Sequence, residues 1–95
     1  MPIPNSSRAS WEFVPIQILD EVFLAKIDRS TRFSFIKRST VLELEFSSDH
    51  SLILLPVSCG KIRDFVIFEQ REELPEEIIV GNYAVEVLKV DRIDS

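Results

Sequence analysis

Residues 22–38 read VFLAKIDRSTRFSFIKR, two apolar runs, VFLAKI and FSFI, with DRST and Arg32 between them. The fold turns on how these runs are paired. Both are short and rich in β-branched and aromatic residues, which suits strands, and a linker of this length makes a hairpin loop at most. The first run extends back to residue 15 as an ambiguous segment, PIQILDEVFLAKID. Ile16, Leu19, Phe23 and Ile27 fall at spacings of three, four and four, the face of a helix opened by Pro15, whereas Ile16 with Ile18 and Val22 with Leu24 suit two short strands. The surrounding β-branched and aromatic residues favour strands.

Elsewhere the dominant period is two, which sends alternate side chains to opposite faces of a strand. TVLELEF at 40–46 places Leu42, Leu44 and Phe46 on one face and Val41, Glu43 and Glu45 on the other. The turn-forming SSDH follows, then SLILLPV, so 40–57 predicts a hairpin whose second strand ends or lies on an edge at Pro56. SCGK gives another turn. IRDFVIFE gives a strand with Phe65 and Ile67 on one face and Val66 and Phe68 on the other, as expected if both sides are largely buried. Pro75, Glu76 and Glu77 have the composition of a short helix's first turn, GN at 81–82 punctuates the chain, and YAVEVLKV predicts the last strand before the polar tail DRIDS.

The chain has 95 residues, 45% of them apolar and 28% charged, the balance of a globular chain rather than a disordered one. This length predicts one domain over 11–95 behind a flexible lead at 1–10, where two prolines and NSS show no apolar period. The fold expected is a small antiparallel β barrel or sandwich of five to seven strands, with α+β as the alternative if 15–28 is helical. No stretch reaches the roughly 20 apolar residues that span a bilayer, and no signal peptide is visible, so no membrane partner is expected. The lone Cys59 cannot form an internal disulfide, which fits a reducing compartment and a cytoplasmic setting.

The net charge of −5 is unevenly spread. Up to Leu42 six basic residues face four acidic ones, a net of +2; from Glu43 on, five face twelve, a net of −7. Two surfaces follow as candidates for binding. Arg29, Arg32, Lys37 and Arg38 surround Phe33 and Phe35 with no acid between them, a basic aromatic strip. Glu69, Glu72, Glu73, Glu76 and Glu77 make an acidic strip that suits a basic partner.

Aromatic residues on a sheet stack on bases while Lys and Arg meet phosphates. FSFI after Arg32 resembles the core of the first signature of the RNA-recognition motif, and VFLAKI resembles the second. In that family the two signature strands are separated by a helix and a further strand, the shorter one coming first by a few tens of residues. DRST cannot hold those elements, and Arg32 stands where the family usually has glycine, so none of its functional residues is carried over.

Catalytic constellations are absent by sequence. Asp49, His50 and Ser51 are adjacent turn residues that cannot orient one another as a triad. His50 and Cys59 flank one predicted strand, roughly 20 Å apart at about 3.3 Å per residue. Two glycines leave no phosphate-cradling loop, and no cofactor or metal is expected. The sequence therefore predicts a non-catalytic accessory or regulatory protein that binds another protein, with single-stranded nucleic-acid binding through the 29–38 strip as the alternative. A homodimer is also compatible with the polarised charge.

Overall fold

The computed structural model describes residues 13–46 and 49–90. Six strands, β1 (Phe13–Ile18), β2 (Glu21–Asp28), β3 (Ser34–Lys37), β4 (Leu52–Cys59), β5 (Ile62–Arg71) and β6 (Ile78–Gly81), close into a barrel. Among the described residues, two six-residue helices, α1 (Arg38–Glu43) and α2 (Asn82–Val87), follow β3 and β6. The small β barrel read from the sequence is present. The flexible lead expected at 1–10 lies outside the described residues.

Residues 15–28 are strand rather than helix, folded as the β1–β2 hairpin with Ile18 opposite Glu21. The alternation there is strict: Val14, Ile16 and Ile18 point inward while Pro15 and Gln17 are exposed. β4 and β5 form a longer hairpin, closed between Cys59 and Ile62, where Gly60 adopts φ +62°, a left-handed turn that glycine takes without steric cost. β4 runs on through Pro56 instead of ending there. It meets β1 only at Val57 and Ser58, so its flank at Pro56 is edge-like, the position at which a missing N–H is tolerated.

The strand order is β1-β2-β6-β3-β5-β4, with β4 returning to β1. Two pairings, β2 with β6 and β3 with β5, are parallel, so the barrel is mixed and not wholly antiparallel. The expected hairpin between 22–27 and 33–36 does not form. β6 lies between β2 and β3, and the short linker strides across it instead. Ile16, Ile18, Ile36, Leu55, Phe68 and Ile78 fill the interior at no more than 1% exposure. On β5 only Val66 and Phe68 turn inward; Phe65 and Ile67, which the sequence reading buried, are 60% and 55% exposed because a closed barrel has one interior and no second layer of described residues covers this outer face.

TVLELEF and YAVEVLKV, both expected as strands, contain the helices. In α1 the buried positions are Thr40, Val41 and Leu44, and around α2 they are Ala84, Val85 and Leu88, the same i, i+1, i+4 set in each case. That set is one face of a helix. Residues 75–77, expected as a helical first turn, instead lead without a helix into β6.

α1 stops in a tight cap. The N–H of Glu45 donates to the carbonyl of Leu42 at 2.9 Å and that of Phe46 to the carbonyl of Val41 at 3.2 Å, with Glu45 itself at φ +60°. This is the paired bonding of a Schellman motif, whose left-handed residue is usually glycine. Glu45 is exposed and bears the steric cost of a side chain in that region. Glu45→Gly is therefore expected to raise unfolding free energy by about 1 kcal/mol, read as a higher denaturant midpoint with unchanged slope; an unchanged or lower midpoint contradicts the strained cap.

Candidate functional site

β2 ends at Asp28, which lies in parallel register with Gly81, the last residue of β6. The chain then crosses in front of β6 and returns as β3 on its other side, where Phe35 pairs with Ile79. Three bonds hold the crossing: Asn82 N–H to the Thr31 carbonyl at 2.8 Å, Tyr83 N–H to the Arg32 carbonyl at 3.3 Å, and Gly81 N–H to the buried hydroxyl of Ser34 at 3.0 Å. The approach is close enough that only glycine fits. A Cβ on Gly81 would sit 2.2 Å from the carbonyl oxygen of Phe33 and 2.8 Å from that of Arg32.

Within the crossing, Asp28 folds its carboxylate back onto its own loop. Oδ1 accepts the N–H of Ser30 at 3.0 Å and also the Ser30 hydroxyl, a local turn of the kind aspartate makes readily. Thr31 Oγ1 in turn accepts the N–H of Phe33 at 3.3 Å. The Ser30 hydroxyl, then its N–H, then the positive charge of Lys26, favour the ionised form, while a small desolvation opposes them, and Asp28 titrates below the ordinary carboxylate range. Its contribution to stability is present above the pKa it has in the unfolded chain, and is lost as pH falls through the depressed folded value.

The other described aspartates are placed differently. Asp20 is in the β1–β2 turn, Asp49 is exposed in the bend before β4, and Asp64, on β5, accepts the N–H of Phe65 at 2.7 Å. His50 and Cys59 sit at opposite ends of β4, as the strand length implies. Cys59 is buried, which pushes its thiol pKa up and leaves it a poor nucleophile.

The basic aromatic strip is divided by the fold. Arg29 and Arg32 are exposed on the crossing, and Phe33 is 69% exposed just before β3. Arg32 and Phe33 line a groove of about 570 Å³ with Leu52, Ile67, Glu69 and Tyr83. Phe35 is only half-buried; the Arg71 guanidinium lies 4.6 Å from its ring centroid and is itself paired with Glu69 at 3.0 Å. Lys37 and Arg38 stand at the junction of β3 and α1, away from that groove.

The acidic strip abuts the basic one instead of forming a separate surface. Lys37 shares an open depression with Glu72 and Glu73, and its N–H donates to the Glu77 carbonyl at 2.8 Å. The Thr40 hydroxyl reaches Glu77 Oε2 at 3.4 Å, and Glu76 is half-buried. Part of this charge thus serves local structure.

In the sequence Asp28 is one acid among sixteen, and its loop has the length of a hairpin turn. The usable signal was an apolar strand ending in aspartate and followed by Ser30 and Thr31, together with IIVG some fifty positions later, an apolar strand ending in a glycine too crowded to be replaced. Gly81→Ala is expected to cost about 3 kcal/mol, seen as a large drop in thermal midpoint; a stability near that of the parent would show that the crossing can relax.

No family model matches the sequence, and no curated protein does. Solved structures match the fold. The retroviral protease-like domain of Ddi1 from Leishmania major superposes with a TM-score of 0.69 at 18% identity, over 78% of this chain and 69% of that one. A retropepsin-like aspartic protease from Rickettsia conorii superposes with a TM-score of 0.66 at 13% identity, over 78% of this chain and 68% of that one. This overturns the expectation of a non-catalytic accessory or regulatory module, and with it the nucleic-acid alternative and the reading that the chain is no enzyme. The likeness is one of fold, to a retroviral protease-like domain and to a retropepsin-like aspartic protease.

Proposed function

We propose that this domain hydrolyses peptide bonds as an aspartic protease, with Asp28 as its reacting carboxylate and a second copy of the chain supplying the other. The observation that carries this reading is the likeness of the barrel to the two retropepsin-like structures. Aspartic proteases work with two aspartates that share one proton, because two like charges at such close range cannot both ionise. Asp28 is the described aspartate on the crossing loop, so one chain offers one such group there. A two-fold axis relating two chains would bring a pair together, and two-fold dimers are the commonest oligomers.

In the reaction the ionised carboxylate takes a proton from water while the water oxygen bonds to the scissile carbonyl carbon. The protonated carboxylate gives its proton to the carbonyl oxygen, forming a tetrahedral diol. Collapse of the diol breaks the C–N bond, with a proton delivered to the departing amine. Arg32 and Phe33, on the loop that carries Asp28, are the residues of the basic aromatic strip proposed to contact the peptide. No described helix is long and apolar enough to cross a membrane, and the buried free thiol of Cys59 supports a reducing, cytoplasmic setting.

Asp28→Asn tests this reading. Incubated at acidic pH with a mixture of unstructured peptides and followed by the appearance of new amino termini, the parent is expected to cleave and the variant to lose about a hundredfold or more in rate. Cleavage by Asp28→Asn at the parent rate would remove Asp28 from the chemistry.

A further inference from the structure

Both hydrogen bonds to the Asp28 carboxylate come from Ser30, and both fall on the same oxygen. Ser30 N–H and Ser30 Oγ meet at Oδ1, while Oδ2 accepts no hydrogen bond from the described residues. Two donors on one oxygen fix the rotation of the carboxyl group and distinguish its two oxygens within a single chain. We propose that Ser30 is the positioning residue of Asp28, holding Oδ1 and leaving Oδ2 to meet the water or the second carboxylate. This rests on the aspartic-protease reading for its consequence in catalysis, but the tie itself is a property of the loop.

Among the described residues, Asp28 has few other electrostatic neighbours. Its sheet neighbours β1 (FVPIQI) and β6 (IIVG) carry no ionisable side chain. Lys26 stands on its own strand, Arg29 follows it directly, and α2, packed near β2, contributes Tyr83 and Glu86. The Ser30 bonds are the leading cause of the depressed Asp28 pKa, ahead of Lys26, so the hydroxyl can be removed with little else changing around it.

The consequence follows from the sign. The ionised member of the pair must accept a proton from water, and activity on the acid side falls as that carboxylate becomes protonated. Removing a donor that favours the ionised form raises the Asp28 pKa and moves the acid limb toward neutral pH. Threonine, which keeps the hydroxyl, should restore it. A purely structural role for Ser30 would lower the amount of folded protein without moving either midpoint.

The experiment compares the parent with Ser30→Ala and Ser30→Thr. The Asp28 side-chain carboxyl carbon is titrated by NMR in dilute protein, and the acid limb of kcat/KM is measured on the peptide mixture. Expected are an upward shift of the NMR midpoint in Ser30→Ala, its return toward the parent in Ser30→Thr, and a parallel movement of the acid limb. An unmoved NMR midpoint in Ser30→Ala, or one that Ser30→Thr fails to restore, overturns the proposal. The NMR arm needs no turnover, so a failure of the protease reading is recognised separately, as absence of cleavage by the parent or as cleavage that survives Asp28→Asn.

Discussion

The structure depends on the passage of residues 29–33 over Gly81. β6 sits between β2 and β3, and the chain joining those two strands has no room to go round it. It therefore crosses at contact distance, where a single added methyl group would meet the Phe33 carbonyl oxygen at 2.2 Å. The Thr31 and Arg32 carbonyls of the crossing accept the amides of Asn82 and Tyr83, and the Gly81 amide donates to the Ser34 hydroxyl, which turns a steric constraint into a hydrogen-bonded junction. It also sets where Asp28 stands. A carboxylate at the end of a plain hairpin would wave in solvent, whereas here the strand end is fixed by β6 and the side chain by Ser30.

Much of the barrel was legible in local pattern and much of its wiring was not. The β1–β2 and β4–β5 hairpins follow from alternation and from turns at their ends, because hairpin partners are close in sequence. The pairing of Phe35 with Ile79, and of Asp28 with Gly81, joins residues more than forty positions apart, and no local period reports it. A loop that looked like the shortest way between two neighbouring strands was therefore the one that straddles a third.

The two helices show how short elements deceive. Leu42, Leu44 and Phe46 alternate with Glu43 and Glu45 as a strand would, yet Leu42 is 58% exposed while Val41 and Leu44 are buried. Six residues span less than two turns, too few for a helical period to stand out against the apparent alternation, and only the joint burial of the adjacent Thr40 and Val41 reveals the helical face. The left-handed cap at Glu45, carried by a residue that gives no sequence signal for it, decides where α1 ends. The same physics hid the candidate site: Asp28 is ordinary as a residue, and the role proposed for it rests on the crossing, on Ser30 and on the likeness in fold to the two solved structures.

The most direct test of a paired Asp28 is to titrate its side-chain carboxyl carbon by NMR across a range of protein concentration. Association of two chains through this group predicts one low titration step in dilute protein and two steps in concentrated protein, with one of them raised, since the protons then belong to the pair. A single low step at every concentration, in a protein shown by sedimentation to be dimeric, would mean that the two carboxylates do not meet and would contradict the account.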